Sequence, residues 1–264
     1  MAQKGRWLVV TGLVLLGGVY VRALAFTPVE RFQGPAQKIF YVHVPAAVTT
    51  ELAVILLGLA GVFYLFLKDP RLDRFAESSA EVGTVFASIV LTTGPIWGKP
   101  IWGTWWTWDA RLTSTLFLFF LLVGYQVLRG AVPDGSLRAR YSAVLGICAV
   151  VLVGFIHLSV YLFPTLHPQP IVLKPSKPSL PGEMLLTLLL SFGVFLLLYV
   201  GFVMQRYAIA TPWEKPATTR VAPAEYCSAT RPITLDTYLT LSAIASSLFC
   251  RVIQLATTSF VRRR

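Results

Sequence analysis

An all-α integral membrane protein with six transmembrane helices and functional outer loops is the fold class this sequence predicts. Three observations predict it. The 264 residues are 55% hydrophobic and only 13% charged, with a mean hydropathy of +0.67, so the chain lacks the polar surface that a soluble domain of this size needs. Six apolar runs approach the roughly 18 to 22 residues that cross about 30 Å of hydrocarbon at 1.5 Å per residue. The cations lie in the short connections between those runs. A net charge of +11 therefore does not point to nucleic acid, whose soluble partners cluster Lys and Arg on a polar scaffold. It reads as topology signals and contacts with the lipid bilayer.

The first span, about 7–25, follows Lys4 and Arg6 and ends near Ala23-Leu24-Ala25, a pattern that a cleavable signal peptide shares. Arg22 just before the would-be cleavage site favours a retained helix. The second span, 46–67, opens after Pro45, which suits a first helical residue because its missing N–H would be unpaired there anyway. Spans 81–97, 112–129, 141–163 and 184–204 complete the set. Lys68, Arg71, Arg74, Arg129, Arg138 and Arg140 fall on the same side as Lys4, Arg6 and the Arg-containing tail. The positive-inside rule makes that side, with both termini, cytoplasmic. Arg22, Arg31, Lys38, Lys99, Arg111, Lys174 and Lys177 oppose the bias from the other side. Residues 1–210 thus form a six-helix transmembrane domain. Residues 211–264 form a cytoplasmic tail, a linker holding Pro212, Pro216 and Pro223 and then an amphipathic helix within Leu235 to Phe260, to which no role is assigned.

This topology gathers three segments on the outer face: Glu30 to Pro45, Gly94 to Arg111 and Phe163 to Gly182. The middle one holds the run W-G-T-W-W-T-W-D-A-R-L-T-S, in which Trp102, Trp105, Trp106 and Trp108 fall within seven residues and Asp109 follows. An interfacial aromatic belt uses scattered single rings. Four so close, with Gly98, Pro100 and Gly103 beside them, point to a shaped surface for a large flat apolar ligand. Each of the other segments holds a histidine near a span end: His43 in K-I-F-Y-V-H-V-P-A-A and His167 in F-P-T-L-H-P-Q-P. Two imidazoles on either side of an aromatic surface could ligate a haem iron axially. Two hydrated polar residues at a membrane interface explain them as well.

Two intramembrane groups stand apart. His157 lies inside the fifth span, where packing against a neighbouring helix and a functional role are both open. Glu51 lies about two turns into the second span; it pairs with Arg22, lines a vestibule, or is a carboxylic acid held neutral. Cys148, Cys227 and Cys250 form no C-x-x-C, which leaves neither a thioredoxin-like motif nor a covalent haem attachment site. No G-x-x-x-x-G-K-[ST] phosphate loop is present, so an ATP-driven step needs a partner.

The tryptophan run ending in D-A-R-L-T-S, together with Y-V-H-V-P-A-A, resembles the haem exporter protein C family (CcmC) of cytochrome c maturation, over roughly residues 5 to 205. Related haem lyases continue after W-W-x-W-D with Pro and a Glu-containing stretch, where this chain has Ala110, Arg111 and Leu112. The resemblance implies a haem-binding and haem-delivery protein of the bacterial inner membrane rather than an enzyme. It would present non-covalent, transiently bound haem b on periplasmic loops and pass it to the periplasmic chaperone CcmE. The partners it implies are the ATPase CcmA, the membrane subunit CcmB and the small protein CcmD. His43 and His167 match the family's two outer histidines and become the expected axial ligands, with Trp102, Trp105, Trp106, Trp108 and Asp109 as the haem and chaperone surface. F-P-T-L-H-P-Q-P is less tryptophan-rich than the family's usual sequence and has Pro168 where Gly is usual. Arg111 is the first candidate for a haem propionate partner, with Lys99 and Lys38 behind it; pairing with Asp109 is its alternative. A haem lyase subunit forming thioether bonds is the competing function, and a solute transporter, which would need discontinuous spans, is a third.

Overall fold

The computed structural model describes residues 1–167 and 180–210. The segment 168–179, with Lys174 and Lys177, and the tail 211–264, with its expected linker, helix, Cys227 and Cys250, lie outside the described residues. Six helices follow in order: α1 (Ala2–Ala25), α2 (Phe40–Leu67), α3 (Pro70–Trp102), α4 (Ala110–Ala131), α5 (Gly135–Leu162) and α6 (Gly182–Ile209), with a 3₁₀ turn over Pro35–Ile39 leading into α2. All six are long and apolar enough to cross a membrane, and the chain is an all-α, multi-pass membrane protein.

Several helices exceed the expected spans for identifiable reasons. Asp69 caps α3 by accepting from Arg71 N–H at 2.8 Å, and Pro70 opens the helix. The polar turns that follow bury Asp73, Ser78 and Ser79 inside the bundle, so the helix starts well before residue 81. At the other end α3 runs through Pro95 and Pro100 as far as Trp102. Pro100, expected to block a regular helix beside the tryptophan run, lies inside one instead, as does Pro95: each removes one N–H, a loss that membrane helices tolerate. Gly103, at φ 75°, ends it in the left-handed region.

Helix α2 likewise begins at Phe40, which places Pro45 inside the helix rather than at its start. The Tyr41 carbonyl, four residues back, would have received the missing N–H. It accepts the Ser191 hydroxyl of α6 instead, and Ser191 is fully buried. One proline thus ties two helices together.

Helix α2 packs against α3, α5 and α6, and α1 lies along α6. A Cβ added at Gly5 would come within 2.8 Å of the Gly201 carbonyl oxygen, so the two backbones approach as small residues allow in membrane helices. Arg22 donates to Glu183 at 2.7 Å and to the Thr187 hydroxyl at 3.2 Å. Arg22 is thereby committed to α6, which rules out the Arg22 pairing among the alternatives for Glu51.

Candidate functional site

Helix α2 presents His43, Ala47, Thr50 and Glu51 on one face, the i, i+4, i+7, i+8 pattern of a helical stripe. This face and the end of α3, the start of α4 and the residues after α5 line a half-open cavity of about 240 Å³, to which the tryptophan run contributes. His43, His167, Trp102, Trp105, Trp106 and Arg111 all line it. The volume lies just under the roughly 300–1,000 Å³ of ligand clefts. A porphyrin-sized ligand would therefore be gripped along part of its face and left open on one side.

His43 is 8% exposed, in the first turns of α2 rather than in a loop. Its Nδ1 lies 2.9 Å from the Thr93 hydroxyl, which itself donates to the Ile89 carbonyl at 2.7 Å. With its proton committed there, Thr93 can only accept, so Nδ1 carries the hydrogen. Nε2 is left with its lone pair, the state that ligates a metal, and the ring is oriented by its partner. Gly94 makes room, because a Cβ there would meet His43 Cε1 at 3.2 Å. Trp97 stands edge-on to the imidazole at 5.6 Å and donates its indole N–H to Gln33 at 3.1 Å.

His167 follows the end of α5, its backbone N–H donating to the Thr165 hydroxyl at 3.1 Å. Its ring sits 6.4 Å from that of Trp102. Trp102 in turn needs Gly98: a Cβ at that position would lie 2.9 Å from Trp102 Cε3. The last turn of α3 is thus shaped so that the indole folds back beside the second histidine.

The remaining predicted residues divide. Trp108 is 78% exposed and lies outside the cavity, edge-on to Trp106 at 5.8 Å. Asp109 also stays out of the lining: it caps α4 by accepting from Leu112 N–H at 2.9 Å and takes the Thr107 hydroxyl at 3.0 Å. Lys99 donates to the Gly103 carbonyl at 2.8 Å, and the buried Lys38 ammonium donates to the carbonyls of Thr27 and Pro28. Both lysines serve as helix-end and loop ties and neither lines the cavity.

Arg111 remains as the cavity's cation. Its Nη1 is buried with no hydrogen-bond partner among the described residues, and the Trp106 indole N–H is in the same condition. Buried donors left unmatched cost free energy unless something accepts from them. Two such donors and one histidine lone pair fit a flat metal-centred ligand bearing carboxylates.

Of the alternatives open for Glu51, lining a vestibule is the one its position matches, since it lines this cavity; the polar and aromatic lining residues Gln33 and Trp97 were not singled out by the sequence. Trp97 stands in G-P-I-W-G-K-P, whose two glycines were a usable signal. Glu51 pairs with His157, Oε2 to Nε2 at 3.0 Å, a contact between α2 and α5 that no spacing rule announces.

The fold and site together define a polytopic helical membrane protein with a half-open aromatic pocket served by two histidines from different elements. Comparison with known proteins narrows this class. The sequence model of the family described as "Heme exporter protein C" matches residues 1–221. The chain is 39% identical over 210 residues to the Heme exporter protein C of Haemophilus influenzae, covering 77% of this chain and 85% of that one. It is 37% identical over 195 residues to that of Bradyrhizobium diazoefficiens, covering 74% and 73%. A putative cytochrome c biosynthesis ccmC-like mitochondrial protein of Marchantia polymorpha is 36% identical over 171 residues, covering 65% and 72%. The chain belongs to the haem exporter protein C family.

Proposed function

We propose that this protein binds haem b non-covalently on the periplasmic face of the bacterial inner membrane and delivers it to the haem chaperone CcmE for cytochrome c maturation, acting with CcmA, CcmB and CcmD. His43 and His167 are the axial ligands in this reading. The observation that carries it is the convergence of both histidines on one half-open aromatic cavity, with His43 Nδ1 engaged by the Thr93 hydroxyl. Family membership supports haem handling in cytochrome c biogenesis as the setting.

The chain's own residues then act as follows. The indoles of Trp102, Trp105 and Trp106 cover apolar porphyrin surface, worth roughly 25 cal/mol per Å² removed from water. Arg111 and the Trp106 indole N–H donate to propionate oxygens that would otherwise be desolvated without partners. The exposed Trp108 and half-exposed Trp105 lie at the rim, where an acceptor protein docks. In this reading the acceptor reaches the ligand from that exposed rim without the bundle coming apart.

A transfer assay tests this. Haem-loaded protein in detergent is mixed with purified apo-chaperone and the two are separated. Haem appearing in the chaperone fraction supports delivery, and haem that stays with this chain through excess chaperone contradicts it.

A further inference from the structure

Among the described residues that line the cavity, Glu51 is the only acid and Arg111 the only arginine or lysine. A pocket for a carboxylate-bearing ligand has no evident use for a carboxylate of its own. Glu51 and Asp109 are the carboxylates within electrostatic reach of Arg111, yet neither is hydrogen-bonded to it. Asp109 is committed to the α4 cap and Thr107. Glu51 is paired with His157, Oε2 to Nε2 at 3.0 Å. His157 does not line the cavity; it approaches Glu51 from α5, outside the ligand space. The result is an arginine whose buried Nη1 has no hydrogen-bond partner among the described residues and a carboxylate on the same cavity that is paired elsewhere.

We infer that Glu51 is a built-in competitor for the ligand's carboxylate at Arg111, and that His157 is the positioning residue that holds it off. The inference rests on the reading of the pocket as a site for a carboxylate-bearing porphyrin. Glu51 lowers the affinity for such a ligand by repulsion across a partly buried space and by sharing the arginine's field. It thereby keeps the grip weak enough for transfer. If His157 is removed, Glu51 is free to close onto Arg111, and the ligand must displace it.

The test uses the full chain in detergent, titrated with haem and with haem dimethyl ester, whose carboxylates are masked. Glu51→Gln should tighten haem binding on the order of tenfold and leave the ester unchanged. His157→Ala should weaken haem binding by a similar factor, again sparing the ester. The double variant should behave like Glu51→Gln, because His157 acts only through the acid. A purely structural role would move both porphyrins together, and that outcome overturns the inference. Native protein that binds both porphyrins while Glu51→Gln leaves their affinity ratio unchanged overturns the inference alone. Native protein that binds neither overturns the functional reading, and the inference falls with it.

Discussion

Helix α4 carries an arginine near each end, and the two are in opposite circumstances. Arg129, near the C-terminal end, donates from Nη1 to Asp73 Oδ1 at 2.6 Å and from Nη2 to Asp73 Oδ2 and Glu77 Oε2 at 3.0 Å each. The Tyr125 ring lies against its guanidinium at 5.8 Å. Elsewhere along α3, Arg206 pairs with Glu81, and the Ser79 hydroxyl donates to the Ala53 carbonyl and meets Tyr199. Arg111, at the N-terminal end, has a buried Nη1 with no partner among the described residues and opens onto a cavity. An arginine whose terminal nitrogens meet acids from a neighbouring helix holds helices together. One left partly unmatched beside aromatic rings is, on the proposed function, a donor kept for a ligand.

The largest effect expected from this contrast is on the closed end. Arg129→Ala leaves Asp73 buried without its counter-charge, which should cost about 3–5 kcal/mol. A clear drop in thermal midpoint in detergent checks it, while the fraction still folded keeps a native haem spectrum. Arg111→Gln should do the reverse, weakening haem binding by about 1.5–3 kcal/mol with a thermal midpoint close to native. If the two variants behaved alike, the contrast between the ends would be broken. Thr93→Val sharpens it at the histidine. The ring loses the acceptor that fixes its tautomer, and haem affinity should fall about tenfold, the low end for an outer-shell partner of a metal ligand. Gly98→Ala is the mildest. Its Cβ pushes on Trp102, and a loss of about 1 kcal/mol in haem binding, read by titration, is expected as the indole shifts from His167.

The six helices were legible because hydropathy reports lipid contact, and a lipid-facing or core-facing helix is apolar over most of its length. Their ends were not, because Asp73, Ser78 and Ser79 are buried among protein groups that satisfy them, a condition indistinguishable in sequence from solvent exposure. Pro45 misled for a related reason: its cost is met by Ser191, about 150 positions away. At the site, the histidines and the tryptophan run could be picked out because residue types this specialised are seldom clustered by chance. The differing parts of Trp105, Trp106 and Trp108 could not be separated, since adjacent indoles in a turn diverge by side-chain direction alone. Glu51 and His157 meet only once α2 and α5 are packed, and the commitment of Lys38 to loop carbonyls is likewise a tertiary fact.

The most direct test of the account is the visible spectrum of the detergent-purified protein, co-expressed with the proposed haem chaperone, for the native chain, His43→Ala and His167→Ala. Bis-histidine ligation predicts a low-spin haem spectrum in the native protein that is lost or converted in each variant while the thermal midpoint stays near native. A native protein that carries no haem from haem-replete cells, or a spectrum unchanged by both substitutions, would contradict the ligand assignment and leave the tryptophan rim as a docking surface alone.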